Sequence, residues 1–161
     1  MHVRPATEAD LDDLLALWRE LEEAQGRYRL FPPVPDAADR IEASFREALT
    51  ADDADVLLVF DGETPVAMGL LHVEYPSRMS SERSVELSRV VVRADRRGHG
   101  IGKALIGAAA QWARDRRVRH LNAAVFVANE ASRRFWRGAG FEVWVERMVR
   151  PVDPPGAQPD G

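Results

Sequence analysis

The sequence predicts one α/β domain over residues 1–150, followed by a short tail. Three observations carry that reading. Strand-length runs of β-branched and aromatic residues alternate with segments whose apolar residues recur every three to four positions, the spacing of one helix face. Glycine and proline mark the joints between them. The chain has 161 residues, 45% of them apolar, which suffices for one core, and it shows no repeat and no second domain.

The elements follow in order. Residues 3–5 read as a short strand. Thr7, with Asp10 three positions on, resembles a capping box at a helix start. Leu11, Leu14, Leu15, Trp18 and Leu21 then share one face, and Gly26 ends that helix. Residues 27–35 hold Tyr28, Phe31 and three prolines and form a loop. Residues 36–50 give a second helix that buries Ile41, Phe45 and Leu49. Residues 56–60 and 66–73 form a hairpin around Asp61-Gly62. A polar loop, 76–84, leads to a strand over 85–92. Ile101, Leu105, Ala108 and Trp112 define a third helix. Residues 121–127 read as a strand, 129–137 as a helix and 141–149 as one or two strands. The last eleven residues, 151–161, contain four prolines and two glycines and read as a disordered tail.

Composition narrows the function. There is no cysteine, which excludes disulfides, thiolate metal sites and a Cys nucleophile, and suits the cytoplasm. No metal is expected. The apolar runs are far short of the roughly 20 residues a bilayer crossing needs, and the opening residues lack the apolar stretch of a signal peptide. The net charge is −4, but residues 1–80 carry 7 Lys/Arg against 17 Asp/Glu, and residues 81–161 carry 15 against 9. A polyanion therefore fits the second half and a cation the first, while the overall acidity argues against nucleic acid.

The most informative segment is 92–105, Val-Arg-Ala-Asp-Arg-Arg-Gly-His-Gly-Ile-Gly-Lys-Ala-Leu. A strand ends at Val92, a basic, glycine-rich turn follows, and a helix opens near Ile101. The first N–H groups of a helix lack intrahelical partners and lie at the positive end of its dipole, so this turn is an anion cradle. A nucleotide P-loop needs a hydroxyl after Gly-Lys and a glycine five positions before that lysine's glycine. Here Ala104 and Arg97 stand in those places. The dinucleotide fingerprint G-x-G-x-x-G fails as well, because Gly98, Gly100 and Gly102 are spaced by two throughout.

Arg97, Gly100 and Gly102 match a third pattern, [RQ]-x-x-G-x-[GA]. Here the sequence resembles the GNAT superfamily of acyl-CoA-dependent N-acetyltransferases. Glu86-Leu87 leading into Val90-Val91-Val92 resembles the family's fourth strand. Residues 125–129 resemble its fifth strand and following asparagine, and Phe135 with Gly140-Phe141 its closing helix and Gly-Phe pair. The resemblance covers the chain except the tail. It implies a mixed, mostly antiparallel sheet of six to seven strands flanked by about four helices, splayed between strands 4 and 5.

The resemblance also implies site residues. Acetyl-CoA would be held through its pyrophosphate by the amides of Gly98, His99, Gly100, Ile101, Gly102 and Lys103, with Arg97 and Lys103 adding charge. Main-chain groups of Val90 and Val92 would pair with the pantetheine arm, and the Val90 amide would donate to the oxyanion. Asn129 would contact the cofactor or, alternatively, cap a helix. Strand alternation puts Glu86 on the face of Ser88, Val90 and Val92. It is the favoured general base, with an ion pair to Arg89 as the alternative. His72 and Glu74 are secondary candidates. Many family members place a tyrosine acid where this chain has Trp136, which has no useful acidic proton. Tyr28 is the substitute considered, with water as the other donor. The expected partner is a small-molecule or peptide amine acceptor, chosen by the loop after the first helix and by residues 76–84. A homodimer stays open. The competing function is a non-catalytic acyl-CoA-binding module.

Overall fold

A computed structural model of the chain describes residues 1–76, 81–150 and 152. The predicted tail, apart from Val152, and residues 77–80 of the 76–84 loop lie outside the described residues. In chain order the elements are β1 (His2–Pro5), α1 (Leu11–Gln25), α2 (Ala37–Thr50), β2 (Ala54–Asp61), β3 (Thr64–Glu74), β4 (Ser84–Val92), α3 (Ile101–Asp115), β5 (Leu121–Asn122) and α4 (Glu130–Gly138). The described strands form one sheet in sequential order, antiparallel from β1 to β4, with β5 parallel to β4. Among the described residues no helix is long and apolar enough to cross a membrane.

Alternation along the strands fills the two faces separately. Leu57, Val59, Val66, Ala67, Leu71, Val73, Val85 and Leu87 pack with Ile101, Leu105, Ala109 and Trp112 of α3 and with Trp136 of α4. Val56, Leu58, Phe60, Met68 and Val91 pack on the other face with Leu11, Leu14, Leu17 and Leu21 of α1 and Phe45 of α2. The Thr7 capping box is present. Asp10 receives hydrogen bonds from the Thr7 amide (2.7 Å) and hydroxyl (2.9 Å) and is gripped on both oxygens by Arg4 at 2.8 Å. Those donors hold the Asp10 carboxyl well below the usual carboxylate range, with the Arg4 hydrogen bond the largest cause and burial opposing it.

Two expectations are corrected. The sheet has five strands rather than six to seven. Residues 121–127 pair only at Leu121 and Asn122, and residues 141–149 form no strand. The reason is a missing neighbour: Trp144, Val145 and Met148 are 86%, 80% and 91% exposed, so a strongly β-prone run has no ladder to join. The second correction concerns β4. Its register against β3 shifts between Met68 and Leu70, where Ser88 faces Leu70 and Val91 faces Met68, so Gly69 alone spans Arg89 and Val90. This β-bulge reverses the alternation. Glu86 and Ser88 lie on the α1/α2 side, while Val90 and Val92 pack against the α3 cluster and Val91 takes the α1/α2 side. Glu86 therefore does not share a face with Val90 and Val92.

Candidate active site

The site begins where β4 and β5 part. They are paired at Val85–Leu121 and Glu86–Asn122 and nowhere beyond. From Leu87 to Val92, β4 has no strand on that side among the described residues. The chain past Asn122 forms no further described pairs with β4, so the two strands part after this short parallel contact.

The glycine turn lies where β4 leaves the splay. Gly98 and Gly100 have φ of +82° and +78°, the left-handed region that costs a side-chain-bearing residue about 1–2 kcal/mol. Gly100 is the N-cap of α3. Among the described residues the amide N–H groups of residues 98–103 donate to no protein acceptor. A built cradle of free donors at a helix N-terminus fits a pyrophosphate. Gly102 serves packing instead. A Cβ there would lie 2.6 Å from the Phe135 ring, so this glycine lets α4 close onto the first turn of α3. His99 Nδ1 is 2.9 Å from the Arg97 carbonyl oxygen and braces the turn from within. Arg97 turns away from the cradle, its Nε donating to the Val92 carbonyl oxygen at 3.0 Å. Lys103 is exposed.

Glu86 stands at the vertex of the splay, opposite His72 of β3 on one side and Asn122 of β5 on the other. It is half-buried and, among the described residues, has neither a hydrogen bond nor an ion pair, so the alternative pairing with Arg89 does not form. Glu74 accepts from Ser84 Oγ (2.9 Å) and Asn122 Nδ2 (2.6 Å), which fixes the end of the β4–β5 pair beside Glu86. His72 is exposed. Asn129 caps α4, its Oδ1 accepting from the Ser132 amide at 3.0 Å, which leaves its Nδ2 free to donate.

Trp136 is 8% exposed and sits edge-on between Phe135 (5.3 Å) and Phe141 (4.8 Å). It is a core residue, which explains how an indole stands at a position the resemblance gave to an acid. Tyr28 stacks on Phe126, just past β5, at 6.2 Å, and its hydroxyl accepts from Arg27 at 2.8 Å. The loop after α1 thus reaches the chain that follows β5. Beside Tyr28 an open cleft of about 350 Å³ is lined by Glu22, Gly26, Arg29, Leu30, Phe31, Pro32 and Pro33. Among the described residues no three His, Asp or Glu cluster as metal ligands would.

Sequence reasoning missed the bulge. An isolated glycine inside a strand pattern, here Gly69, is the signal for such a bulge.

Comparison with known proteins agrees with this geometry. An uncharacterized N-acetyltransferase of Methanocaldococcus jannaschii is 28% identical over 87% of the chain, which spans 60% of that relative's length. A tetramutant of the BH1408 protein of Bacillus halodurans superposes with a TM-score of 0.81 at 24% identity, covering 94% of this chain and 100% of that one. A predicted acetyltransferase of Clostridium acetobutylicum, solved with acetyl-CoA, superposes with a TM-score of 0.76 at 14% identity, covering 93% and 95%. Residues 14–141 match the Acetyltransferase (GNAT) family, and the chain belongs to that family.

Proposed function

We propose that this protein transfers an acetyl group from acetyl-CoA to the primary amine of a small molecule or peptide, by direct attack with both substrates bound. The observations that carry the proposal are the side of β4 left without described pairing partners beyond Glu86 and, where that strand ends, the amides of residues 98–103 that donate to no described acceptor. Those amides would hold the pyrophosphate, and the main chain of Val90 and Val92 would hold the pantetheine as an added strand. Bound acetyl-CoA supplies a thioester carbonyl and a thiolate leaving group.

The chain's own groups supply the rest. The Val90 amide donates to the carbonyl oxygen as it gains charge. A lysine-like ammonium has a pKa near 10.4, so freeing its lone pair at pH 7 costs about 4.6 kcal/mol. Glu86 accepts that proton, directly or through one water. The new N–C bond forms first, giving a tetrahedral adduct whose nitrogen sheds its second proton to solvent; the C–S bond then breaks, and the departing sulfur takes a proton from solvent or from Tyr28. The cleft after α1 and the loop around residues 76–84 would select the acceptor.

Release of CoA thiol from acetyl-CoA, followed over a panel of amines, tests this. Acetyl-CoA-dependent acetylation of an amine is the expected result. Tight CoA binding with no turnover on any amine would favour the non-catalytic module, which the core position of Trp136 keeps as the second reading.

A further inference from the structure

We infer that Arg89 recognises an anionic group, a carboxylate in the first instance, on the amine acceptor. The inference rests on the acetyltransferase reading and adds the acceptor's class to it.

Alternation would point residue 89 into the apolar α3 cluster with Val85 and Leu87. The bulge prevents that. Arg89 takes a left-handed φ of +50°, a strained conformation for a residue with a side chain, and its guanidinium crosses to the α1/α2 side, 4.9 Å over the ring of Phe45. Strain of this kind persists where the surroundings enforce it, and at Gly69 opposite, Leu87, Leu105 and Val90 fill the α3 side so closely that a Cβ would lie 3.1 Å from Leu87.

The guanidinium is not neutralised there. Its Nη1 is one of two buried side-chain polar atoms without a hydrogen-bond partner among the described residues. Glu22 is the acidic side chain whose charge bears on it, but Glu22 is ion-paired with Arg29 in the wall of the cleft after α1. Burial pushes the Arg89 guanidinium below its ordinary value, and Glu22 only opposes this. A desolvated cation without a hydrogen-bonded anion is costly, and a cation fixed over an aromatic ring is pre-organised to receive one.

Position completes the argument. Arg89 directly precedes Val90, the proposed oxyanion donor. An anion on Arg89 would therefore hold the acceptor beside the acetyl carbon, with its amine towards Glu86. The acidic first half of the chain can then attract the ammonium while Arg89 takes the carboxylate. Such an acceptor is an amino acid or a peptide carrying both groups within a few bonds. The planar, forked guanidinium suits a two-oxygen anion better than a lysine would.

The test uses matched pairs, each proteinogenic amino acid against its α-amide, in the thiol-release assay with saturating acetyl-CoA. In parallel, acetyl-CoA binding is measured by calorimetry on the parent, Arg89→Gln and Arg89→Lys, with thermal melts to establish folding. The parent is expected to prefer at least one acid over its amide in kcat/KM by about 10- to 100-fold, the range of a charge-assisted hydrogen bond. Arg89→Gln should bring that ratio near one through the acceptor KM, and Arg89→Lys should restore part of it. Equal use of acid and amide, preference for amides, no response to either class by a protein that binds acetyl-CoA, or an unchanged ratio in Arg89→Gln each overturns the inference. Failure to bind acetyl-CoA would instead defeat the acetyltransferase reading beneath it.

Discussion

Replacing Gly102 by alanine separates two physical effects of opposite sign. In a helix interior Gly→Ala normally stabilises by about 1 kcal/mol. Here the new Cβ would lie 2.6 Å from Phe135 Cε2 and 2.8 Å from Cζ, whereas carbon atoms rest at about 3.5–4.0 Å. The ring must retreat by about 1 Å, and it cannot do so alone, because it packs edge-on against Trp136, which packs edge-on against Phe141. Overpacking of this kind costs about 1–3 kcal/mol. With the helix gain subtracted, Gly102→Ala should destabilise by up to about 2 kcal/mol, and at about 2–4 °C per kcal/mol for a chain of this size that lowers Tm by up to about 8 °C. Urea melts of Gly102→Ala, Phe135→Leu and the double variant decide the matter. With the ring removed, the alanine should become neutral or stabilising, giving a coupling of about 1 kcal/mol or more. A stabilised single variant, or additive effects in the double, would refute the packing role given to Gly102.

Two further predictions concern charge. The Asp10 carboxyl is held low by Arg4 and Thr7, so its contribution to stability is complete above the unfolded carboxylate pKa of about 3.9 and is lost as pH falls towards the lower folded value. Asp10→Asn should therefore cost about 2 kcal/mol at pH 7, discounted for the partial exposure of Arg4, and the gap to the parent should narrow below about pH 4. Urea melts across pH measure this, and a gap that is constant from pH 7 to pH 3 would contradict it. Glu86→Gln should lower turnover chiefly below about pH 8, where the acceptor amine is protonated. A constant ratio to the parent across pH would remove Glu86 as the base.

The helices and the β2–β3 hairpin were legible because their signals are local. Leu11, Leu14 and Leu21 mark the buried face of α1 at helical spacing, and Gly62, with φ of +63°, marks the hairpin turn. The glycine turn was legible for the same reason, since Gly98 and Gly100 take positive φ within a few residues of a helix start. What failed was pairing between distant segments. Phe141, Val143, Val145 and Val149 have strand propensity, yet whether a run becomes a strand depends on a free neighbour, which no local pattern encodes. The bulge at Gly69 and Arg89 moved Val90 and Val92 to the opposite face from Glu86, although strict alternation had put all three together. Arg97 shows a finer limit. Its position suggested a phosphate ligand, and no local pattern encoded the hydrogen bond its Nε makes to the carbonyl at the end of β4.

Calorimetric titration of acetyl-CoA into the parent, Gly100→Ala and Gly100→Glu tests the central claim most directly. Apart from its chain neighbours, no atom of the described residues lies within 4 Å of a Cβ at Gly100, so both variants can fold, and both carry the strain of φ +78°. Only the glutamate adds an anion to the cradle, where like charge costs several kcal/mol. Gly100→Ala should retain most of the affinity, and Gly100→Glu should lose more than about 100-fold, or about 2.7 kcal/mol. Parent-like affinity in a folded Gly100→Glu would contradict the assignment of this turn to the pyrophosphate.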